Sequence, residues 1–252
     1  INIMDIISDI SPYFCLLTIA DDKSTMFLDM YNYIKQNKIL LDLLLSYMIK
    51  YNIIQSKENI NIIIRIFKDN IKENKDVENT FRLIKELFIK NKESPYELYK
   101  LIIRFLIPQH SEKKDYAEVH TPENIKEDMI NKMPNDFWKN HKNKVFEPCS
   151  GKGGFIIDII EKFMNGLEEF EPDKKLRYKY IVENCLYFCD INPINIFCCK
   201  LIIDWSNKYN LNYYNGNTLE LDINKNYDNW KNISGFNAVI GNPPYNDSSG
   251  NR

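Results

Sequence analysis

The stretch Val145-Phe146-Glu147-Pro148-Cys149-Ser150-Gly151-Lys152-Gly153-Gly154-Phe155 runs from apolar residues to an acid, then a glycine-rich turn, then the start of an apolar helical segment. Val145 to Glu147 reads as the end of a strand and Gly154 to Phe163 as a helix. Glycines at 151 and 153 let backbone approach a ligand closely, and the following helix offers its positive N-terminal end to a carboxylate or phosphate. A phosphate loop would need GxxxxGK[ST], and here Lys152 is followed by Gly153, so that reading fails. A dinucleotide fingerprint wants a third glycine where Ile156 stands and an acid about 20 residues on, whereas Asp190 comes much later. A tight strand-to-helix turn without a ligand is the plain alternative.

Outward from this loop, short apolar runs alternate with helical stretches. Cys185 to Asp190, Leu211 to Tyr214 and Phe236 to Ile240 read as strands, and Pro193 to Tyr209 as a helix that begins with proline. Glu168 to Lys179 is charged enough for a surface loop or solvated helix, and Tyr227 to Trp230 falls in another connection. Strand and helix in alternation imply right-handed crossovers and a parallel sheet covered by helices. The expected fold class is therefore α/β, a Rossmann-like sheet of about four strands. All 8 glycines lie at or after Gly151, and the chain has a different character before it. Ile39, Leu43 with Leu44, and Tyr47 with Met48 recur at helical spacing. So do Phe81, Ile84, Leu87 with Phe88, and Leu98, Leu101 with Ile102, Phe105. Ser94 before Pro95 and Glu97 suits a helix start, and Pro108 its end. We expect an all-α domain over 1–107 and the sheet domain over 108–252.

The strand at 236–241 runs into Asn242-Pro243-Pro244-Tyr245. Two prolines cannot donate ladder hydrogen bonds, so the sheet stops there and Asn242 sits at a strand's carboxyl end. An amino group on a base is a poor nucleophile because its lone pair is delocalised into the ring. If the Asn242 side-chain oxygen and the Pro243 carbonyl accept its two N–H bonds, the nitrogen is drawn toward tetrahedral geometry and the lone pair becomes available. Tyr245 can stack on a base flipped from its duplex. A proline-rich strand terminator is the bland reading. In doubly wound sheets, ligands bind outside the carboxyl ends of neighbouring first and fourth strands, so the glycine loop and Asn242 would meet.

Together these features resemble the amino-methyltransferases that use S-adenosyl-L-methionine, most closely the adenine-N6 DNA methyltransferases of restriction-modification systems and their phage and large-virus relatives. Glu118-Val119-His120-Thr121-Pro122, with the amphipathic stretch to Pro134, looks like the motif upstream of the glycine loop. The resemblance implies that Thr121 contacts the methionine end of the cofactor, and that Glu147, Pro148, Gly151, Gly153 and Phe155 form its main loop. It places Asp190, with Ile191, at the ribose hydroxyls, which suit a carboxylate's two oxygens. A helix-capping acid before Pro193 is the competing role for Asp190. Gly216-Asn217-Thr218-Leu219 matches a motif that usually has Asp after Gly. Asn217 can still accept a hydrogen bond from the cofactor's adenine, without charge assistance. Asn242, Pro243, Pro244 and Tyr245 match the catalytic motif in full. Cofactor motifs before the catalytic one is the gamma-class order, and by resemblance three further strands and a target-recognition region would follow Arg252. A segment ending there is expected to be a poor enzyme alone.

With 33 Lys+Arg against 35 Asp+Glu, 44% apolar residues and 27% charged ones, the chain of 252 residues is a globular protein, neither disordered nor collagen-like. Its longest apolar run, Ile39 to Ile49, is broken by Asp42 and too short for a membrane span. The apolar stretch from Pro12 to Ala20 follows acids and does not read as a secretory signal. The 6 cysteines lack paired spacing, so neither disulfides nor a zinc site is indicated. Lysine clusters at 113–114, 139–144 and 174–179 read as solvated surface rather than a phosphate track. The expected setting is the cytoplasm of a bacterium or of a virus-infected host cell. The expected partners are double-stranded DNA and a restriction endonuclease or specificity subunit. Two rival readings stand beside this one: a protein-glutamine or RNA amino-methyltransferase, and a non-catalytic binding module.

Overall fold

A computed structural model of the chain describes residues 75–105 and 121–244. The helix expected over 39–48, Pro108, the Glu118–His120 part of the upstream motif, the cluster at 113–114 and Tyr245 lie outside these residues. The chain divides into two compact units, 1–109 and 110–252.

In the first unit, α1 (Lys75–Asn91) and α2 (Pro95–Phe105) are the described elements. The Ser94 hydroxyl accepts the Glu97 N–H at 3.5 Å and the Ser94 carbonyl accepts that of Leu98, so α2 starts where the Ser-Pro signal puts it. Phe88, Leu98, Tyr99 and Ile102 are buried, whereas Leu87, on the same expected stripe, is half exposed.

The second unit opens with α3 (Glu123–Asn131) and α4 (Asn135–Lys139), followed by β1 (Val145–Glu147) and α5 (Gly154–Gly166). Then come α6 (Lys174–Asn184), β2 (Leu186–Asp190), α7 (Pro193–Asp204), β3 (Asn212–Asn215), a 3-10 turn at Thr218–Glu220 and β4 (Ala238–Val239). The four strands form one parallel sheet in the order β3-β2-β1-β4, with Val145 level with Leu186 on one side and Ala238 on the other. Strand alternation divides the core in two. Val145, Leu186 and Phe188 turn toward α5, α6 and α7, where Ile156, Ile159, Phe163, Ile181 and Cys199 fill the space. Phe146, Tyr187 and Cys189 turn the other way. There the 221–236 connection, not a helix, covers the sheet with Trp230, Tyr227, Ile233 and Phe236.

Several elements differ in extent from the sequence expectation. The helix from Pro193 stops at Asp204 rather than Tyr209, because the Asp204 carboxylate accepts the N–H groups of Lys208 and Tyr209 and Asn207 adopts φ 53°. The charged 168–179 stretch breaks at Asp173, whose side chain caps α6 by accepting from Lys175 and Leu176 N–H. Arg177, read as part of a solvated cluster, is 3% exposed.

Candidate active site

Because the sheet is parallel, the carboxyl ends of all four strands meet along one edge, and each carries a residue of the site. The loop after β1 turns through Gly151 at φ +51° and Gly153 at φ +95°, and the value at Gly153 is one that side chains rarely adopt. The loop is stitched to the end of β2. Ser150 N–H donates to the Cys189 carbonyl at 2.9 Å, and Gly151 N–H to Asp190 Oδ2 at 2.8 Å. The Cys199 thiol of α7 donates to the Gly151 carbonyl at 3.3 Å. A Cβ added at Gly151 would meet none of the described residues within 4 Å, so among them the crest of the loop is uncovered.

Two acids flank this turn. Asp190 is 8% exposed, and its other oxygen, Oδ1, accepts Asn192 N–H at 2.8 Å just before α7. It therefore caps locally and clamps the glycine loop at once. Ile191, next to it, is exposed. Glu147 is fully buried; its Oε1 accepts Cys149 N–H at 3.2 Å, while Oε2 has no hydrogen-bond partner among the described residues. Burial pushes its pKa well above the usual carboxylate range; the Cys149 N–H opposes that shift and the negative charge of Asp190 adds to it. A buried acceptor without a donor is costly, and a cation or N–H donor brought to the cradle would relieve it. Burial likewise raises the Cys149 thiol to about 12 and Cys189 to about 11, so neither is a thiolate nucleophile near neutral pH.

The end of β3 closes the cradle from the far side. Thr218 Oγ1 donates to the Pro148 carbonyl and lies 3.0 Å from Cys189 Sγ, joining the ends of three strands. Asn215 Nδ2 donates to the Asp190 carbonyl at 2.9 Å. Sequence reasoning gave neither residue a role: Thr218 entered it only as part of the Gly216–Leu219 motif, and the one signal for Asn215 is its place before Gly216. Asn217 lies on the same edge, but its amide is already engaged: Oδ1 accepts Leu219 N–H at 3.1 Å and Nδ2 donates to Glu220 Oε1 at 3.2 Å. Phe155, expected at the cofactor, has its side chain in the core instead, 6% exposed among the α5 residues.

Strand β4 delivers the Asn-Pro-Pro segment to the same place. Ile240 N–H donates to the Phe146 carbonyl at 2.9 Å, which holds the end of β4 against β1. Gly241 then passes directly over Glu147: a Cβ there would sit 3.0 Å from Glu147 Cδ, 3.1 Å from Pro148 Cδ, and closer still to Glu147 Oε1. The next residue, Asn242, donates from Nδ2 to Thr121 Oγ1 at 3.1 Å. Thr121 stands at the entrance of α3, which is tied to α5 by Lys126. The 1%-exposed lysine places its Nζ 3.3 Å from Asp158 and 2.9 Å from Glu123. The structure thus brings Glu147, Pro148, Gly151, Asp190 and the backbone of Gly241 into contact, and separately pairs Asn242 with Thr121. Pro243 and Pro244 are exposed beyond them.

A family model described as N-6 DNA Methylase matches residues 96–252, well over half of the chain. No curated protein matches it.

Proposed function

Because the chain belongs to the N-6 DNA methylase family, we propose that it transfers a methyl group from S-adenosyl-L-methionine to the N6 amino group of an adenine flipped out of double-stranded DNA at a specific sequence. One observation carries the reading. The cofactor-type loop and the Asn-Pro-Pro segment are held against each other, with Gly241 pressed on Glu147 and Asn242 next in the chain. When bound, the cofactor supplies an electrophilic methyl group on a positively charged sulfur.

The residues present fit such a group. Among the described residues Glu147 Oε2 has no donor and nothing stands over the crest at Gly151, and the Asp190 carboxylate borders the loop. In this reading Glu147 answers the cofactor's positive charge, Asp190 accepts from its ribose hydroxyls, and Ile191 and Asn217 border its base. Asn242 Oδ1 and the Pro243 carbonyl accept the two N–H groups of the adenine amine. That releases the nitrogen lone pair from the ring and holds the positive charge that develops on the nitrogen. The surplus proton then leaves along one of these hydrogen bonds to solvent. Tyr245 stacks on the flipped base. Residues 108–252 house this chemistry, with 1–107 as a separate helical domain.

The test is transfer of labelled methyl from S-adenosyl-L-methionine to unmethylated duplex DNA, followed by nucleoside mass spectrometry. The expected product is N6-methyladenine, abolished by Asn242→Ala. Label appearing on glutamine of a protein substrate, or on RNA alone, would replace this reading.

A further inference from the structure

Thr121 and Asn242 are 121 positions apart in sequence, yet the Asn242 Nδ2 donates to Thr121 Oγ1 at 3.1 Å. Each partner is held by other means. Asn242 follows a strand end fixed by the Ile240-to-Phe146 bond and by the close pass of Gly241 over Glu147. Thr121 precedes α3, whose Ile130 lies in the core and whose buried Lys126 reaches Asp158 of α5. A bond between two such anchored groups constrains the rotation of the asparagine amide, whose two orientations are nearly equal in shape. With Nδ2 facing Thr121, Oδ1 is turned the opposite way. The reversed amide would present N–H groups to an incoming amine, donor against donor.

Resting on the methyl transfer proposed above, we infer that Thr121 is a positioning residue for Asn242: its hydroxyl holds the amide so that Oδ1 is the atom offered to the target amino group. This differs from the cofactor contact that the family resemblance implies for Thr121, and the two roles separate experimentally. Thr121→Val keeps the shape and removes the hydroxyl; Thr121→Ser keeps the hydroxyl. If Thr121 positions Asn242, the valine variant loses roughly 10- to 100-fold in kcat, the range expected for a misaligned reacting group. Its affinity for S-adenosyl-L-methionine by calorimetry and its KM for DNA stay near wild type, and the serine variant recovers most of kcat. A second readout needs no turnover. The Asn242 side-chain NH2 resonances, assigned by their loss in Asn242→Asp, should shift in Thr121→Val and stay in place in Thr121→Ser. A weaker cofactor affinity with unchanged kcat at saturation, or NH2 resonances unmoved in Thr121→Val, would overturn the inference. If the wild-type protein methylates no adenine, the methyl-transfer reading fails instead, and the resonances alone still decide whether Thr121 holds the Asn242 amide.

Discussion

Gly241→Ala adds one methyl group at the tightest contact of the site. Its Cβ would lie 3.0 Å from Glu147 Cδ, 3.1 Å from Pro148 Cδ and nearer to Glu147 Oε1. Carbon atoms pack at about 3.5–4.0 Å, so something must move by roughly 0.5–1 Å. Glu147 has little freedom to yield. It is fully buried, belongs to a central strand paired on both sides, and accepts the Cys149 N–H. The β4 exit therefore moves instead, and Asn242 moves with it. Overpacking of this kind costs about 1–3 kcal/mol, a fall in Tm of roughly 2–12 °C for a chain of this size. A displacement near 1 Å at a catalytic group costs about 100-fold in rate. Thermal melts and single-turnover methylation of duplex DNA would give both numbers. An alanine variant that melts and methylates like wild type would refute the packing of the Asn-Pro-Pro segment on Glu147.

Other consequences are checked as directly. Asp190→Asn must turn an N–H toward either Gly151 N–H or Asn192 N–H, so it should lower stability by about 1–3 kcal/mol in denaturant titrations as well as weaken cofactor binding. Gly166→Ala would put a Cβ against the Trp138 carbonyl and 2.6 Å from its carbon, destabilising the fold by about 1–3 kcal/mol. Its cofactor affinity should stay within about twofold, as for independent sites. The stability contributed by neutral Glu147 is fully present below the ordinary carboxylate range and is lost as pH rises through its raised folded-state pKa. Cofactor-free protein should therefore melt lower as pH increases above the ordinary carboxylate range, and Glu147→Gln should flatten that slope. A variant with an unchanged slope would show that Glu147 is not the group responsible.

The strand, glycine turn and helix at 145–163 were legible because the signal is local: an acid at a strand end, glycines where φ is positive, then a helical apolar pattern. The Asn-Pro-Pro terminator was legible for the same reason. What escaped depends on which strand ends meet. Gly241 reads as an ordinary residue before Asn242, and only the pairing of β4 with β1 puts it over Glu147. Thr218 and Asn215 act through bonds to Pro148 and to Asp190, and no spacing rule links those positions. Phe155 sits next to the loop in sequence, but one helical step turns its side chain into the core. The Tyr227 and Trp230 cover of the second face reads as a connection because its aromatic residues follow neither a helical nor a strand period, and Phe236, read as the first residue of the strand, joins that cover just before β4. Helix ends at Asp204 and Asp173 were set by side-chain caps that compete with the apolar pattern.

If the carboxyl ends of β1 and β2 form the cofactor cradle on which Asn242 is aligned, calorimetric titration of S-adenosyl-L-methionine gives saturable binding at one site in the wild-type protein and no binding in an Asp190→Ala variant that remains folded by circular dichroism. Undiminished binding to Asp190→Ala, or none to the folded wild type, would contradict it.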